Sequence, residues 1–289
     1  LKVAVIGQDG WHTRDLQAAL ARRGVAAPCL RVTRLEARLG AGPKVAVEGE
    51  ALDGYDAVFL RALPGGSLEQ IVYRMDALRR LENLGVRVLN PARSIEHGVD
   101  KYYTASLLED AGVPTPRTIV TERFDEALAA LDELGGDVIV KPLFGSEGRG
   151  MVRVSDPDLA YRVFRALELS RYVFCVQEFI SPGGRDIRAF VVGDHVIGGM
   201  VRQGRGWKSN MSQGGTATPL VPESQAAEMA LAAVRAVGAD YGGVDLLPKE
   251  GGGYSVLEVN TIPGWRGLRE ATGIDVAQLV VDYALREEE

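Results

Sequence analysis

The stretch GGVDLLPKEGGGYSVLEVN, Gly242–Asn260, reads as two strands around a glycine-rich turn, Gly243–Lys249 and Tyr254–Asn260. With Glu250–Gly253 as a four-residue loop, Asp245 lies directly opposite Glu258. Side chains two apart on a strand share a face, so Asn260 joins them there. Two carboxylates facing each other across a hairpin repel, and a divalent cation removes that penalty. Mg²⁺ suits such a site, because it takes one or two carboxylates and leaves its other octahedral positions to phosphates and water. Asp245, Glu258 and Asn260 are the expected metal ligands, with Mg²⁺ the expected ion and Mn²⁺ its substitute. A solvated acidic hairpin face is the competing reading.

A second stretch, VIVKPLFGSEGRGMVRV (Val138–Val154), sets Gly145, Gly148 and Gly150 between two apolar strands. Glycines let main-chain N–H groups approach an anion closely, which suits a phosphate. The G-K-[ST] ending of a Walker loop is missing, and a strand follows where that motif has a helix. Lys141, at the end of an otherwise apolar strand, would be a fixed counter-charge for phosphates. An ordinary flexible hairpin with Lys141 extending to solvent fits the same residues.

The chain has 289 residues, 46% of them hydrophobic, enough for two or three compact units. Its 39 acidic and 33 basic residues give a formal charge of −6, which argues against a primarily nucleic-acid-binding surface. Cys29 and Cys175 sit in apolar runs and read as reduced core thiols. With three histidines they form no zinc-like pattern. No run approaches the ~18 apolar residues of a membrane span, and no signal-peptide pattern precedes the first strand. A soluble, cytoplasmic enzyme is expected. His12, His97 and His195 have no second ligand nearby and are expected to be structural or surface residues.

Alternating strands and helices predict a parallel α/β unit over residues 1–92. Its strands are Lys2–Gly7, Ala57–Arg61 and Val86–Asn90, with helices Thr13–Arg23 and Ser67–Leu84. No G-x-G-x-x-G follows the first strand, which excludes a dinucleotide site. Asn90-Pro91 ends this unit. A second unit, 93–175, is expected to hold one helix over Ser94–Asp110, strand Arg117–Thr121 and helix Asp125–Leu134. Strands Asp137–Lys141 and Met151–Val154 and helix Pro157–Ala166 complete it. The third, 176–289, is β-rich: Arg188–Val192, His195–Val201 and the acidic hairpin, with helices Glu223–Gly238 and Val276–Arg286.

Seven pieces recur in a fixed order: Lys101 in a helix, Lys141 before GSEGRG, QEFI (Gln177–Ile180), DIR (Asp186–Arg188), SN…GG (Ser209–Gly215), GVD (Gly243–Asp245) and EVNTIPG (Glu258–Gly264). In this order the chain resembles the ATP-grasp carboxylate–amine ligases, specifically the RimK-type α-L-glutamate ligases. The resemblance implies an α/β fold of two α+β subdomains clasping ATP, preceded by an α/β pre-ATP-grasp domain. Lys101 and Lys141 then match nucleotide-contacting lysines, and Gly145, Ser146, Gly148 and Gly150 the loop closing over phosphates. Gln177, Glu178, Phe179 and Ile180 match the adenine hinge, Asp186 the ribose contact, and Asn210 a further nucleotide-side position. Asp245, Glu258 and Asn260 match the metal ligands. Arg188, Arg202 and Lys208 match cations near the γ-phosphate and the reacting carboxylate.

Such a ligase uses ATP, Mg²⁺, an amino acid (L-glutamate first) and an acceptor carboxylate. Its relatives are commonly homo-oligomers. The segment PGWRGL and the small N-terminal unit look most like the pterin-cofactor glutamate ligases. Trp265 beside the site suggests a flat or apolar acceptor, although core packing serves equally. Arg61 and Arg74 are expected contacts for an anionic acceptor. The alternatives are a ligase acting on a protein C-terminus or an amino-group carrier protein, a non-catalytic ATP-sensing module, and a binding protein without ATP.

Overall fold

The computed structural model describes residues 1–145, 148–181, 183–204, 206–207 and 215–286. It begins with β1 (Val3–Ile6), α1 (Trp11–Arg22) and β2 (Cys29–Leu30). A small antiparallel sheet follows, β3 (Leu35–Ala37), β4 (Val45–Val47) and β5 (Glu50–Ala51), then β6 (Ala57–Leu60), α2 (Leu68–Asn83) and β7 (Arg87–Leu89). The main sheet is parallel, ordered β2-β1-β6-β7. Both β1 and β6 are buried along their whole length, as strands covered on two faces must be. α2 opens with a capping box: Ser67 Oγ accepts from the Gln70 N–H, and the Gln70 side chain accepts from the Ser67 N–H. Sequence periodicity could not signal β3–β5, whose runs are two or three residues long.

The single helix expected over 94–110 is two, α3 (Ala92–Val99) and α4 (Lys101–Asp110). Asp100 between them adopts an extended conformation, and its Oδ1 accepts the N–H groups of Tyr102 and Tyr103 at 3.0 Å. This is an N-cap, and it makes Lys101 the first residue of a new helix.

The second sheet is antiparallel, ordered β10-β9-β11-β8. Its strands are β8 (Thr118–Thr121), β9 (Val138–Lys141), β10 (Val152–Val154) and β11 (Phe174–Glu178). Helices α5 (Phe124–Glu133) and α6 (Pro157–Leu169) cover one face, packing on Val138, Val140, Phe174 and Val176. Alternation turns Ile139, Lys141, Cys175 and Gln177 to the opposite face. The division expected after residue 175 falls inside β11, whose pairing with β9 continues through Glu178.

The third sheet, ordered β14-β13-β12-β15-β16, contains β12 (Arg185–Val192), β13 (His195–Gln203), β14 (Thr216–Leu220), β15 (Tyr241–Pro248) and β16 (Tyr254–Asn260). α7 (Ser224–Val237) packs on one face, against Ile187, Ala189, Val244, Val256 and Val259. β14 escaped the sequence reading; it carries Pro219, which an edge strand tolerates. Also unanticipated is α8 (Arg266–Thr272). The last helix, α9 (Val276–Ala284), packs against α1. One hydrophobic core joins Val5, Phe59 and Leu89 of the first unit to Phe190, Tyr241, Trp265 and Val280 of the third, while the second unit has its own. Both cysteines are free thiols, as expected.

Candidate active site

Cross-strand pairing assembles a charged ladder on one face of the third sheet. Asp186 faces Arg202, Arg188 faces Asp245, Asp245 faces Glu258, and Gly243 faces Asn260. The pairing of Asp245 with Glu258 is the one expected, but the chain reaches it differently. The tip holds five residues rather than four, with Pro248 opposite Tyr254, and a bulge at Leu257 restores the phase. Leu257 and Glu258 consequently both line the cleft, while Val256 and Val259 on either side stay in the core.

Arg188 grips Asp245 with both forks, Nε at 2.6 Å and Nη2 at 2.7 Å. Arg202 reaches Asp186 at 2.7 and 2.5 Å and Asp245 at 2.7 Å. Burial alone would push the Asp245 carboxyl up; Arg188 and Arg202 outweigh it and hold the group well below the usual range. Glu258 goes the other way. Burial raises it, and Asp245 beside it raises it further, against a weaker pull from Arg188, whose Nη2 is 3.8 Å away. Asn260 Nδ2 donates to Glu258 Oε1 at 3.1 Å. Gly243 makes room for this arrangement, since a Cβ there would lie 3.3 Å from Pro263 and 3.6 Å from Arg188 Cδ.

Among the described residues no three His, Cys, Asp or Glu converge. Asp245, Glu258 and Asn260 fit Mg²⁺ on donor chemistry: all offer hard oxygens. The forced closeness of two carboxylates is the penalty a dication removes.

The facing wall is basic. Lys141 is buried and its Nζ donates to Gln177 Oε1 at 2.9 Å; Gln177 Nε2 in turn donates to Thr118 Oγ1 at 2.8 Å. Lys101 Nζ donates to the Gly145 carbonyl at 2.7 Å. Burial lowers both ammonium groups, preparing them for an anionic partner. Gly145, Gly148 and Gly150 all have positive φ, which explains the glycine at each. Ser146, Lys208 and Asn210 lie outside the described residues, as does most of the SN…GG stretch.

Between the walls lies a cleft of about 770 Å³, open space at its mouth included. Of the expected residues, Lys101, Lys141, Gly148, Gln177, Glu178, Phe179, Ile180, Asp186, Arg202, Asp245 and Glu258 line it. Arg188 sits behind Asp245, and Asn260 beside Glu258. Missed lining residues are Pro116, Ile139, Met151, Trp207, Leu247 and Leu257. Ile139 and Leu247 could have been found, each lying two residues from a chosen one on the same strand.

Several side chains are engaged differently from expectation. The Glu178 carboxylate, expected at adenine, accepts the Arg117 N–H and Nε–H, both at 2.9 Å. Both Asp186 oxygens, expected at ribose, accept from Arg202. Arg188 and Arg202, expected at the γ-phosphate, are bonded to acids. Arg74 is buried and donates to the Pro64 carbonyl, so it presents nothing to an acceptor. Arg61 lies 4.2 Å over the Trp265 ring and donates to the Pro263 carbonyl. Trp265 is fully buried against Phe190 and His12, so core packing is its role rather than a platform for an acceptor.

Two antiparallel subdomains facing each other across a basic and acidic cleft, behind a parallel α/β unit, define the ATP-grasp architecture. The family described as RimK-like ATP-grasp domain matches residues 98–284, and the RimK PreATP-grasp domain matches residues 1–95. The chain belongs to the RimK-like ATP-grasp family, a family of ATP-dependent ligases. It is 32% identical to the tetrahydromethanopterin:alpha-L-glutamate ligase of Methanococcus maripaludis, over 99% of this chain and 98% of that one. With the probable alpha-L-glutamate ligase of Trichodesmium erythraeum it shares 32% identity, over 98% and 95%. Among solved structures, the RimK domain ATP-grasp protein of Sphaerobacter thermophilus superposes with a TM-score of 0.76 at 22% identity, covering 99% of this chain and 100% of that chain. The ATP-grasp ligase PsnB, solved with minimal precursor, Mg and ADP, gives 0.74 at 23% identity, covering 98% of each. No described helix is long and apolar enough to cross a membrane.

Proposed function

We propose that this protein joins the α-amino group of L-glutamate to a carboxylate of a pterin-type small molecule, at the expense of ATP. The observation that carries the reading is the facing of two walls: Lys101 and Lys141 on one, Asp245 and Glu258 on the other. A carboxylate is a poor electrophile because its leaving group would be oxide. Transfer of the γ-phosphoryl group to it gives an acylphosphate, from which the attacking amine displaces phosphate. Such transfer chiefly requires alignment and charge neutralisation. Lys101 and Lys141 supply fixed positive charge toward the phosphates, and Arg188 and Arg202 keep Asp245 ionised as a ligand. Mg²⁺, held by Asp245, Glu258 and Asn260, would neutralise phosphate oxygens when bound; Mn²⁺ suits the same oxygen donors. Lys208 and Asn210 belong to the same reading on sequence grounds.

The named activity of the Methanococcus maripaludis relative, and the near full-length match to it, support glutamate and a pterin as substrates. Action in the cytoplasm and assembly into a homo-oligomer complete the proposal. The test is ADP release with a panel of amino acids and candidate acceptors, tetrahydromethanopterin included. Release is expected only with L-glutamate, acceptor and Mg²⁺ together. No glutamate-dependent release with any acceptor would overturn the assignment.

A further inference from the structure

The five residues after Asn260, Thr261–Trp265, are held at four points, and each holding side chain comes from the first unit. Asn90 Nδ2 donates to the Thr261 carbonyl at 2.6 Å, and Arg61 Nη2 to the Pro263 carbonyl at 2.8 Å. The Trp265 indole N–H donates to Asp15 Oδ2 at 2.9 Å. His12 Nε2 accepts the main-chain N–H of Trp265 at 3.1 Å and that of Arg266 at 3.3 Å. The N-cap residue of α8, Trp265, makes no capping bond with its own side chain; a histidine from another unit accepts the N–H groups there. Gly264 belongs to the same fit. A Cβ there would stand 3.3 Å from His12 Nε2, so the glycine lets the imidazole close on the turn.

We propose that His12 is a positioning residue, through which the N-terminal unit fixes the strand end carrying Glu258 and Asn260 for metal–nucleotide binding. The proposal rests on the ligase reading above. Accepting two N–H groups at Nε2 requires the neutral ring with its proton on Nδ1. The surroundings maintain that form: burial first, then Arg61 from the end of β6 and Arg266 from α8, disfavour a cation, and Asp15 on α1 only partly offsets them. Trp11 and Trp265 pack perpendicular to the imidazole, with ring centroids 5.0 and 5.1 Å away. Of the four ties, Asn90 and Arg61 hold main-chain carbonyls, and His12 holds the main-chain N–H groups where the turn enters α8.

The experiment compares the full-length wild type with His12→Ala and His12→Gln, whose amide oxygen can accept as Nε2 does. ADP affinity is measured by calorimetry with Mg²⁺ and with EDTA, and amide exchange is followed at Trp265 and Arg266. His12→Ala is expected to weaken Mg²⁺-dependent ADP binding about tenfold, the scale of a lost cap, and to leave binding in EDTA unchanged. His12→Gln is expected to restore the affinity to within about twofold of wild type. Equal Mg²⁺-dependent affinity in all three proteins, or equal weakening with and without Mg²⁺, would overturn the positioning role. Should His12→Ala fail to fold, fast exchange at Trp265 and Arg266 in the wild type would overturn it as well. A wild type showing no Mg²⁺-dependent ADP binding is a different failure, since it removes the ligase site and this role with it.

Discussion

Arg202 and Asp245 meet at 2.7 Å through Nη2, and the same nitrogen lies 2.5 Å from Asp186. All three are almost wholly buried. One guanidinium therefore neutralises two interior carboxylates. Removing it takes a buried counter-charge from both carboxylates at once, with Arg188 still bonded to Asp245. Arg202→Met is expected to lower unfolding stability by about 3 kcal/mol. Urea denaturation of the free protein checks this; a loss below about 1 kcal/mol would show that Asp186 and Asp245 find other partners.

Glu258 is expected to separate activity from stability. Its charge is disfavoured in the free protein by burial and by Asp245. Glu258→Gln keeps the shape and removes that repulsion. Turnover should fall by at least about a hundredfold, as for loss of a group stabilising a transferring phosphoryl. The melting temperature in EDTA should stay level or rise. A variant that keeps its activity would refute the metal role.

Acid should act on this protein partly through His12, which is held down from 6.5 to about 4 by burial and then by Arg61. A depressed histidine contributes stability fully above pH 6.5 and loses it as pH falls toward about 4. Between pH 6.5 and 5 the wild type should lose roughly 1 kcal/mol more than His12→Gln, which has nothing to protonate there, once the linkage value of about 1.6 kcal/mol is reduced for the solvent screening of a partly exposed ring. Glu258 shifts in the opposite sense. Raised above its ordinary value, it favours the metal-free fold as pH drops. Urea midpoints of the two proteins across this range, in EDTA, isolate the histidine because Glu258 is common to both.

Lys101 ties α4 to the glycine loop through the Gly145 carbonyl, and burial disfavours its ammonium, a cost that an anionic partner relieves. Lys101→Met should raise the KM for ATP about tenfold and leave the KM for glutamate within about twofold. A parallel rise in both would indicate general damage to the cleft.

The acidic end of the charged ladder was legible in the sequence because strands encode their faces with a period of two, whereas the pairing of Asp186 with Arg202 and of Arg188 with Asp245 was not. The facing of Asp245 and Glu258 followed from the hairpin pattern, although a five-residue tip and a bulge at Leu257 replace the simple four-residue loop, and Lys141 stood out as the charged end of an apolar strand. Residues whose partners come from distant strands were less legible. Nothing near Glu178 announces Arg117, and nothing near Trp265 announces His12, Asp15 and Arg61 more than 200 positions earlier. Asp100 was a different kind of miss. Its cap signal stood in the sequence, immediately before Lys101, and a continuous helical pattern across it was preferred.

The extra residue at Leu257 separates the length of the hairpin tip from the orientation of its acid. A turn one residue longer or shorter would ordinarily rotate Glu258 into the oily interior. Here the mismatch is absorbed three residues short of the strand's end, so a five-residue tip, Lys249–Gly253, still delivers Glu258 opposite Asp245.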